Sequence, residues 1–166
     1  MNVVLVDTNW QRFLPVSFTR PVSQLRCGIL KIYEKWEMRL NLKSVAVSEE
    51  YLNQKFFSEV EGSTLIINSM ILPDDDLVKA VLSLKDKEIL NSGGTWLAIR
   101  SESGFNKDEW ADAQPIEYPK QCKYVDSWWD LYKQNGSEIE KDFSLITAQK
   151  KSRPLSSSNV LIGPKN

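Results

Sequence analysis

The 166-residue sequence predicts a single α/β domain with three layers, in which helices cover both faces of a mostly parallel sheet. Two observations predict this fold. Short aliphatic and β-branched runs, typical of strands buried on both faces, recur along the chain. Segments with apolar residues at three- and four-residue spacing lie between these runs, as in amphipathic helices. A chain of this length can bury a sizeable core of its own.

The first half of the chain contains the clearest predicted strands and helix. Residues 3–6 and 64–67 are continuous apolar runs and the best candidates for central strands, and residues 44–47 form a shorter one. A helix is predicted over residues 28–40 and a less regular one over residues 49–57. The apolar residues expected to face the core from these two helices are Ile29, Ile32, Tyr33, Trp36, Leu40, Tyr51, Leu52 and Phe56.

The middle of the chain continues the alternation. Three consecutive acids from Asp74 onward suit the start of a helix, whose dipole favours negative charge there. Residues 91–94 predict a turn and residues 95–99 a further strand. A polar excursion follows, with one extended piece at residues 116–118. The apolar positions of the predicted helix are Leu77, Val81 and Leu84.

Two helices are predicted near the C-terminus. Residues 126–132 resume a helical pattern, and Asn135 and Gly136 are expected to end it, because both residue types favour helix C-termini. A second helix is predicted over residues 137–148. Its residues spaced for burial are Ile139, Phe143 and Ile146.

Composition excludes several classes of function. Lys and Arg (21) nearly balance Asp and Glu (22), which predicts neither a nucleic-acid partner nor a membrane surface. No apolar run approaches the ~20 residues of a membrane span, and residues 1–7 lack the basic start of a signal peptide, so a cytoplasmic protein is expected. The sequence has no histidine, which excludes Ser-His-Asp triads and HExxH zinc sites. Cys27 and Cys122 are interpreted as buried thiols.

The loop after the first strand is the main candidate for ligand binding. Ligands of parallel α/β sheets bind outside the carboxyl ends of the strands, which points to residues 7–28 and to Asn68. Arg12, Arg20 and Arg26 lie in this loop, and guanidinium groups match phosphate oxygens in paired hydrogen bonds. Phosphate binding is one interpretation. The spacing leaves open that these arginines pair with carboxylates or face water.

A glycine and a tryptophan extend this candidate site. A helix N-terminus near Gly28 would add backbone donors for a phosphate. Trp10 lies in the first loop and could stack on a base or sugar, or anchor the loop. Trp128 and Trp129 are better explained by core packing, since two adjacent residues of a helix point about 100° apart.

Several runs of the sequence resemble one protein family. They are FTRPV at residues 18–22, LR at 25–26, GIL at 28–30 and EKWE at 34–37. Further matches are Ile67-Asn68, Leu72-Pro73, Trp129-Asp130-Leu131 and Asp142-Phe143. Over essentially the whole chain the sequence is similar to sugar nucleotidyltransferases that are distant relatives of the uridylyltransferase half of the bifunctional N-acetylglucosamine-1-phosphate enzyme.

The resemblance implies a domain organisation. Residues 1–150 would form a reduced nucleotide-diphospho-sugar transferase-like domain, and residues 151–166 a linker with the start of a truncated C-terminal domain. In that family a left-handed β-helix usually follows, and residues 159–163 look like its first rung. Oligomerisation through the β-helix would then be expected.

The resemblance also implies an activity. A nucleoside triphosphate and a sugar 1-phosphate would react with release of pyrophosphate, with Mg²⁺ and basic side chains neutralising charge at the α-phosphate. The candidate residues are Arg20 and Arg26 as catalytic residues, Trp10, Arg12, Gly28 and Asn68 as substrate-binding residues, and Asp7 and Asn68 as metal ligands.

The sequence departs from the better-known enzymes at two points. No glycine-rich loop follows the first strand, since no glycine precedes Gly28, and bulkier residues approach phosphate less closely. Asn68 stands where the strand of the better-known enzymes ends in a metal-binding aspartate, and an amide oxygen carries no negative charge. Asp7 and Asp74 are possible replacements, although Asp7 could only terminate its strand and Asp74 only cap its helix.

Three functions therefore remain open from the sequence. The first is an active sugar nucleotidyltransferase. The second is a catalytically degenerate domain that binds a nucleotide sugar or sugar phosphate, as the missing glycine loop and Asn68 suggest. The third is a structural unit that packs against the following β-helix.

Overall fold

The computed structural model describes residues 1–148, 150–151, 153–160 and 162–163, with the backbone only at 107–109. This part of the chain forms eight strands: β1 (Asn2–Val6), β2 (Ser44–Val47), β3 (Thr64–Asn68), β4 (Ile71–Leu72), β5 (Glu88–Ser92), β6 (Thr95–Ser101), β7 (Gln114–Glu117) and β8 (Lys123–Tyr124). It also forms four α-helices: α1 (Ile32–Leu40), α2 (Glu50–Phe56), α3 (Asp75–Leu82) and α4 (Trp128–Thr147).

Six of the strands form one mixed sheet in the spatial order β2, β1, β3, β6, β5, β7. Strand β1 is parallel to both β2 and β3, and β5 is parallel to β7. Strand β6 is antiparallel to both of its neighbours, β3 and β5. The prediction of an α/β fold is confirmed, and three of the five pairings are parallel. Strands β4 and β8 pair separately in a small antiparallel sheet.

For the β5–β6 hairpin, the sequence predicted the turn and the second strand, β6. It did not predict the first strand, β5. Gly93 and Gly94 form the two-residue turn with positive φ angles of 56° and 80°, which suits the twist of a hairpin. The pairing shifts between Leu90 and Asn91, so that Leu97 is an extra residue. Leu97 and Ala98 consequently pack in the same core cluster although they are adjacent.

The two faces of the sheet are covered differently. On one face, Leu5 of β1 and Ile67 of β3 lie in the main core with Trp36 of α1, Leu77 of α3 and many others. On the other face, a smaller cluster packs β-sheet residues against Phe57, which follows α2, and against aromatic residues of the excursion after β6. Its buried members are Val4, Val6, Val47, Ile66 and Ile99.

Helix α4 contradicts the prediction of two separate helices. It is continuous from Trp128 to Thr147 through Asn135 and Gly136. A glycine inside a helix costs only about 1 kcal/mol. Two buried acids that follow it on the same helix, Glu138 and Asp142, bind the rest of the domain and outweigh this cost.

Burial of several aromatic and aliphatic residues was also predicted wrongly. Ile139 and Phe143 of α4 are exposed to solvent, and so is Tyr51 of α2. Trp128 and Trp129 are exposed rather than in the core, and their rings stack on each other at 3.6 Å between centroids. Ile29 is exposed as well, because α1 begins only at Ile32.

The segment after α4 has no regular structure where it is described. Val160 and Ile162 are exposed and belong to no strand. Leu161, the central residue of the β-helix rung expected at residues 159–163, lies outside the described residues. None of the helices in the described part of the chain is long and apolar enough to cross a membrane.

Candidate active site

The segments predicted from the sequence to bind a ligand lie at one edge of the sheet. Strands β1, β2, β3, β5 and β7 all end at this edge and β6 begins there, as the parallel and antiparallel pairings require. We call it the carboxyl edge. The first loop, residues 7–31, therefore starts at the position where open α/β sheets bind their ligands.

Asp7 fastens the first loop to the carboxyl edge. The backbone N–H of Val22 donates to its Oδ2 at 2.9 Å, and the hydroxyl of Ser69 donates to its Oδ1. Burial raises the pKa of Asp7 above its ordinary value, although its hydrogen bonds oppose the shift. Asp7 thus links the end of β1, the middle of the first loop and the residue after β3.

Trp10 and Arg12 are held by acids on either side of the loop. The indole N–H of Trp10 donates to Glu49, just after β2, and its ring packs on the main core. Arg12 forms an ion pair with Asp126, which lies between β8 and α4. The structure therefore gives Trp10 the role of a loop anchor, and the Arg12 guanidinium remains more than half exposed.

Arg20 and Arg26 are the two unpaired arginines of the first loop. Both are exposed, and neither forms an ion pair or a side-chain hydrogen bond within the part of the chain that the structure describes. Arg20 lies two residues before Val22, whose N–H is bound by Asp7 at the end of β1. The backbone of Arg26 pairs with Lys31 across a short bridge that closes the end of the loop.

The backbone donors around Gly28, predicted to bind phosphate, are already used within the protein. The N–H of Gly28 donates to Asn135 at 2.8 Å, and those of Ile29 and Leu30 both donate to Oδ2 of Asp142 at 3.0 Å. A carboxylate of α4 thus occupies the anion position that the sequence assigned to a ligand. Asp142 was matched to the family in the sequence, but its partners could not be predicted.

Gly28 is required for this close approach. Its φ angle is +88°, and an added Cβ would lie 2.6 Å from Oδ2 of Asp142 and 2.8 Å from the carbonyl carbon of Glu138. The loop and α4 therefore pack backbone against backbone.

A buried charge cluster lies beneath this contact and was missed by the sequence analysis. Lys35 of α1 is fully buried, and its Nζ lies 3.0 Å from Glu138 and 2.5 Å from Asp142. Lys123 and Lys141 also approach Glu138. Burial opposes ionisation of Glu138, but the hydrogen bonds and charges of Lys35 and Lys141 lower its pKa below the ordinary value. In the sequence, Lys35 lies among the polar residues of an amphipathic helix, so its burial could not be predicted.

Asn68, the last residue of β3, uses both polar atoms of its side chain in hydrogen bonds to backbone groups. Its amide nitrogen donates to the carbonyl of Trp96 at 3.0 Å, and its Oδ1 accepts from the N–H of Met70 at 3.1 Å. The side chain is almost completely buried. Asn68 therefore joins β3 to β6 and shapes the turn that follows β3.

The residues at this edge do not fit a preformed magnesium site. Both carboxylate oxygens of Asp7 and Oδ1 of Asn68 already accept hydrogen bonds from within the protein. Asp74 caps α3 by accepting a hydrogen bond from the N–H of Leu77 at 2.8 Å. Among the described residues, no group of three or more His, Cys, Asp or Glu side chains could hold a metal ion. The expected Mg²⁺ stays a prediction.

A cavity of about 270 Å³ opens at the carboxyl edge beside the β5–β6 hairpin. The turn of the β5–β6 hairpin forms one wall, and the segment from β7 to β8 forms another. Its polar and small lining residues are Ser92, Gly93, Thr95, Gln121, Cys122 and Tyr124. Hydroxyl, amide and backbone groups of this kind suit the hydroxyl groups of a sugar.

A larger groove of about 510 Å³ lies on the helical side of the domain. Arg39 of α1, Asp75 of α3 and Lys141 of α4 contribute charges of both signs to its walls. None of the residues that line this groove belongs to the first loop or to the β5–β6 hairpin.

Comparison with protein families supports the resemblance seen in the sequence. The model of a family described as sugar nucleotidyl transferase matches residues 3–151, from the first strand to just beyond α4. No curated protein matches the chain significantly. With nearly all of its described fold inside this match, the chain belongs to the sugar nucleotidyl transferase family.

Proposed function

We propose that the protein transfers a nucleotidyl group from a nucleoside triphosphate to a sugar 1-phosphate at the carboxyl edge of the sheet. A phosphate oxygen of the sugar phosphate attacks the α-phosphorus, a new phosphorus–oxygen bond forms, and the bond to the β-phosphate breaks. The products are a nucleotide sugar and pyrophosphate. The attacking phosphate is already ionised, so the site needs to neutralise charge rather than to remove a proton.

The single observation that carries this proposal is that Arg20 and Arg26, both within the family-matched region, are available to bind a ligand. Both guanidinium groups are exposed and lack an acidic partner in the described chain. Exposed arginines are common, but these two lie on a loop that Asp7 holds at the end of β1, where open α/β sheets bind phosphates. Each can form paired hydrogen bonds with phosphate oxygens.

The cavity beside the β5–β6 hairpin would hold the sugar. Its 270 Å³ volume is of the order of one hexose ring, and its lining includes the hydroxyl groups of Ser92, Thr95 and Tyr124. The hydroxyls of Ser92 and Tyr124 donate to the carbonyl of Lys120 and to the sulfur of Met70, so they would accept hydrogen bonds from a sugar. In this arrangement the first loop contacts the phosphates while the hairpin and the β7–β8 segment contact the sugar.

Pyrophosphate release tests the proposal. The protein is incubated with a panel of nucleoside triphosphates and sugar 1-phosphates, with and without Mg²⁺, and pyrophosphate is measured by a coupled assay. We expect turnover with at least one pair and at least a ~100-fold lower kcat/KM for Arg20→Ala. Lys43→Ala removes an exposed cation on another face and serves as a control. No turnover with any pair would exclude the activity.

Asn68 favours a second candidate function. Where the better-known enzymes have an aspartate, this chain has an amide whose two polar atoms are bound internally, so this position brings no charge to a metal. A domain that binds sugar phosphates or nucleotide sugars without catalysis would have this property. Calorimetric binding of a sugar 1-phosphate in the absence of any pyrophosphate release would support this function over transfer.

A further inference from the structure

Helix α4 exposes apolar side chains along one side. Trp129 is 56% exposed, Tyr132 80% and Phe143 62%. Ile139 is exposed to 42% as well. In the described part of the chain, the neighbouring Trp128 stacks its ring on Trp129, which still leaves Trp129 more than half exposed. Single exposed apolar residues are common, whereas a row of them marks an interaction site.

The opposite side of α4 explains why this row points outward. Asn135, Glu138 and Asp142 face the domain and bind Gly28, Lys35 and the first-loop backbone. Leu131 packs on the main core from the same side. The two fully buried residues of this helix are the acids Glu138 and Asp142, whereas its aromatic residues are exposed.

The exposed row, extended by the half-buried Ile146, follows a heptad pattern. Residues 129, 132, 136, 139, 143 and 146 are separated alternately by three and four positions, and we call them the α4 stripe. In chain order they are Trp129, Tyr132, Gly136, Ile139, Phe143 and Ile146. A spacing of 3.5 residues on average is that of a helix that pairs with another helix in a coiled coil.

We propose that the α4 stripe binds the α4 stripe of a second copy of the chain in antiparallel orientation. Antiparallel pairing places Gly136 opposite Ile139 of the second copy, so the larger side chain fills the space left by the glycine. It also places Tyr132 opposite Phe143 of the second copy as an aromatic pair. Parallel pairing would instead bring two glycines together and leave a gap.

Charge complementarity supports the same occupant and orientation. Lys133 and Glu140 both flank the stripe on its solvent side and both are exposed. Lys133 lies only within 3.9 Å of Asp130, and Glu140 has no ion pair in the described chain. Antiparallel pairing brings Lys133 close to Glu140 of the second copy, and the two-fold axis repeats this pair.

Sedimentation velocity over micromolar to submillimolar concentrations tests the interface. We expect a reversible dimer of the full chain, weakened at least ~100-fold by Phe143→Glu, which puts a charge into the apolar contact opposite Tyr132 of the second copy. Leu82→Glu is the control, because Leu82 is an exposed apolar residue of α3 outside the stripe. A monomer at all concentrations, or a dimer that survives Phe143→Glu, would overturn the proposal.

A charge exchange tests the orientation. Lys133→Glu and Glu140→Lys should each weaken the dimer by about tenfold, because each creates two like-charge contacts across the axis. The double variant restores opposite charges and should return the dissociation constant to within about threefold of the original. Additive weakening in the double variant would exclude the antiparallel pairing. An unchanged melting temperature, measured by circular dichroism, would show that the variants fold as stably as the original protein.

Discussion

Oδ1 of Asp142 lies 2.5 Å from Nζ of Lys35, and both side chains are completely buried. The other oxygen of Asp142 accepts the backbone N–H groups of Ile29 and Leu30. One carboxylate therefore joins α4, α1 and the end of the first loop. This contact positions the loop that carries Arg20 and Arg26.

Lys35→Met should destabilise the protein by about 3–5 kcal/mol, because it leaves Glu138 and Asp142 as buried acids without their shared cation. Urea denaturation followed by circular dichroism measures the loss. Lys43→Met is the matched control, since Lys43 forms a solvent-exposed pair with Glu37 and its removal should leave the midpoint unchanged. Equal midpoints for the two variants would contradict the buried cluster.

Gly28→Ala should destabilise the protein by about 3 kcal/mol, because the new methyl group meets both a positive φ angle and the backbone of α4. Gly62→Ala separates the two effects. Gly62 also has a positive φ, 73°, but open space around it, so we expect a loss of only about 1 kcal/mol. The difference in the free energy of unfolding measures the loop–α4 contact, and similar losses would argue against it.

Asp7 should give the stability a distinctive pH dependence. Burial raises its pKa in the folded state above the ordinary 3.8, so the folded protein binds a proton that the unfolded chain releases. The stability of the wild type relative to Asp7→Asn is therefore largest below about pH 4 and falls as the pH rises through the folded pKa. Urea titrations of both proteins at several pH values measure this difference, and an increase with pH would show a lowered pKa instead.

The sequence predicted the parts of the fold that depend on local pattern. The apolar runs of β1 and β3, the start of α3 at Asp74 and the turn at Gly93 and Gly94 follow from residue type and spacing. Helix α4 was split at Gly136 because no local rule anticipates contacts more than 100 residues away. Those contacts keep the helix continuous.

The candidate site was predicted in location but not in detail. The carboxyl edge and its arginines were found from strand ends and side-chain chemistry. The sequence could not show that Asp142 fills the anion position at Gly28, or that Asn68 is bound by the backbone of Trp96 and Met70. Such pairings depend on which distant elements meet, which one sequence does not record.

Cys27 should react slowly with alkylating reagents. Burial raises the pKa of its thiol to about 11, helped by the nearby negative charges of Glu138 and Asp142, so little thiolate exists at pH 8. In a Cys122→Ser variant, we expect iodoacetamide to modify the folded protein on the order of 100-fold more slowly than the urea-unfolded chain. Mass spectrometry over time gives both rates. Equal rates would show an accessible thiolate and a loosely packed α4.

The most direct test of the proposed function is a crystal structure of the protein with a nucleoside triphosphate and a sugar 1-phosphate, in the presence of Mg²⁺. We expect phosphate groups at the carboxyl edge within hydrogen-bond distance of Arg20, and the sugar in the cavity beside Gly93 and Cys122. Phosphates bound instead in the groove near Arg39 and Lys141, or no ligand at the carboxyl edge, would contradict the proposed function.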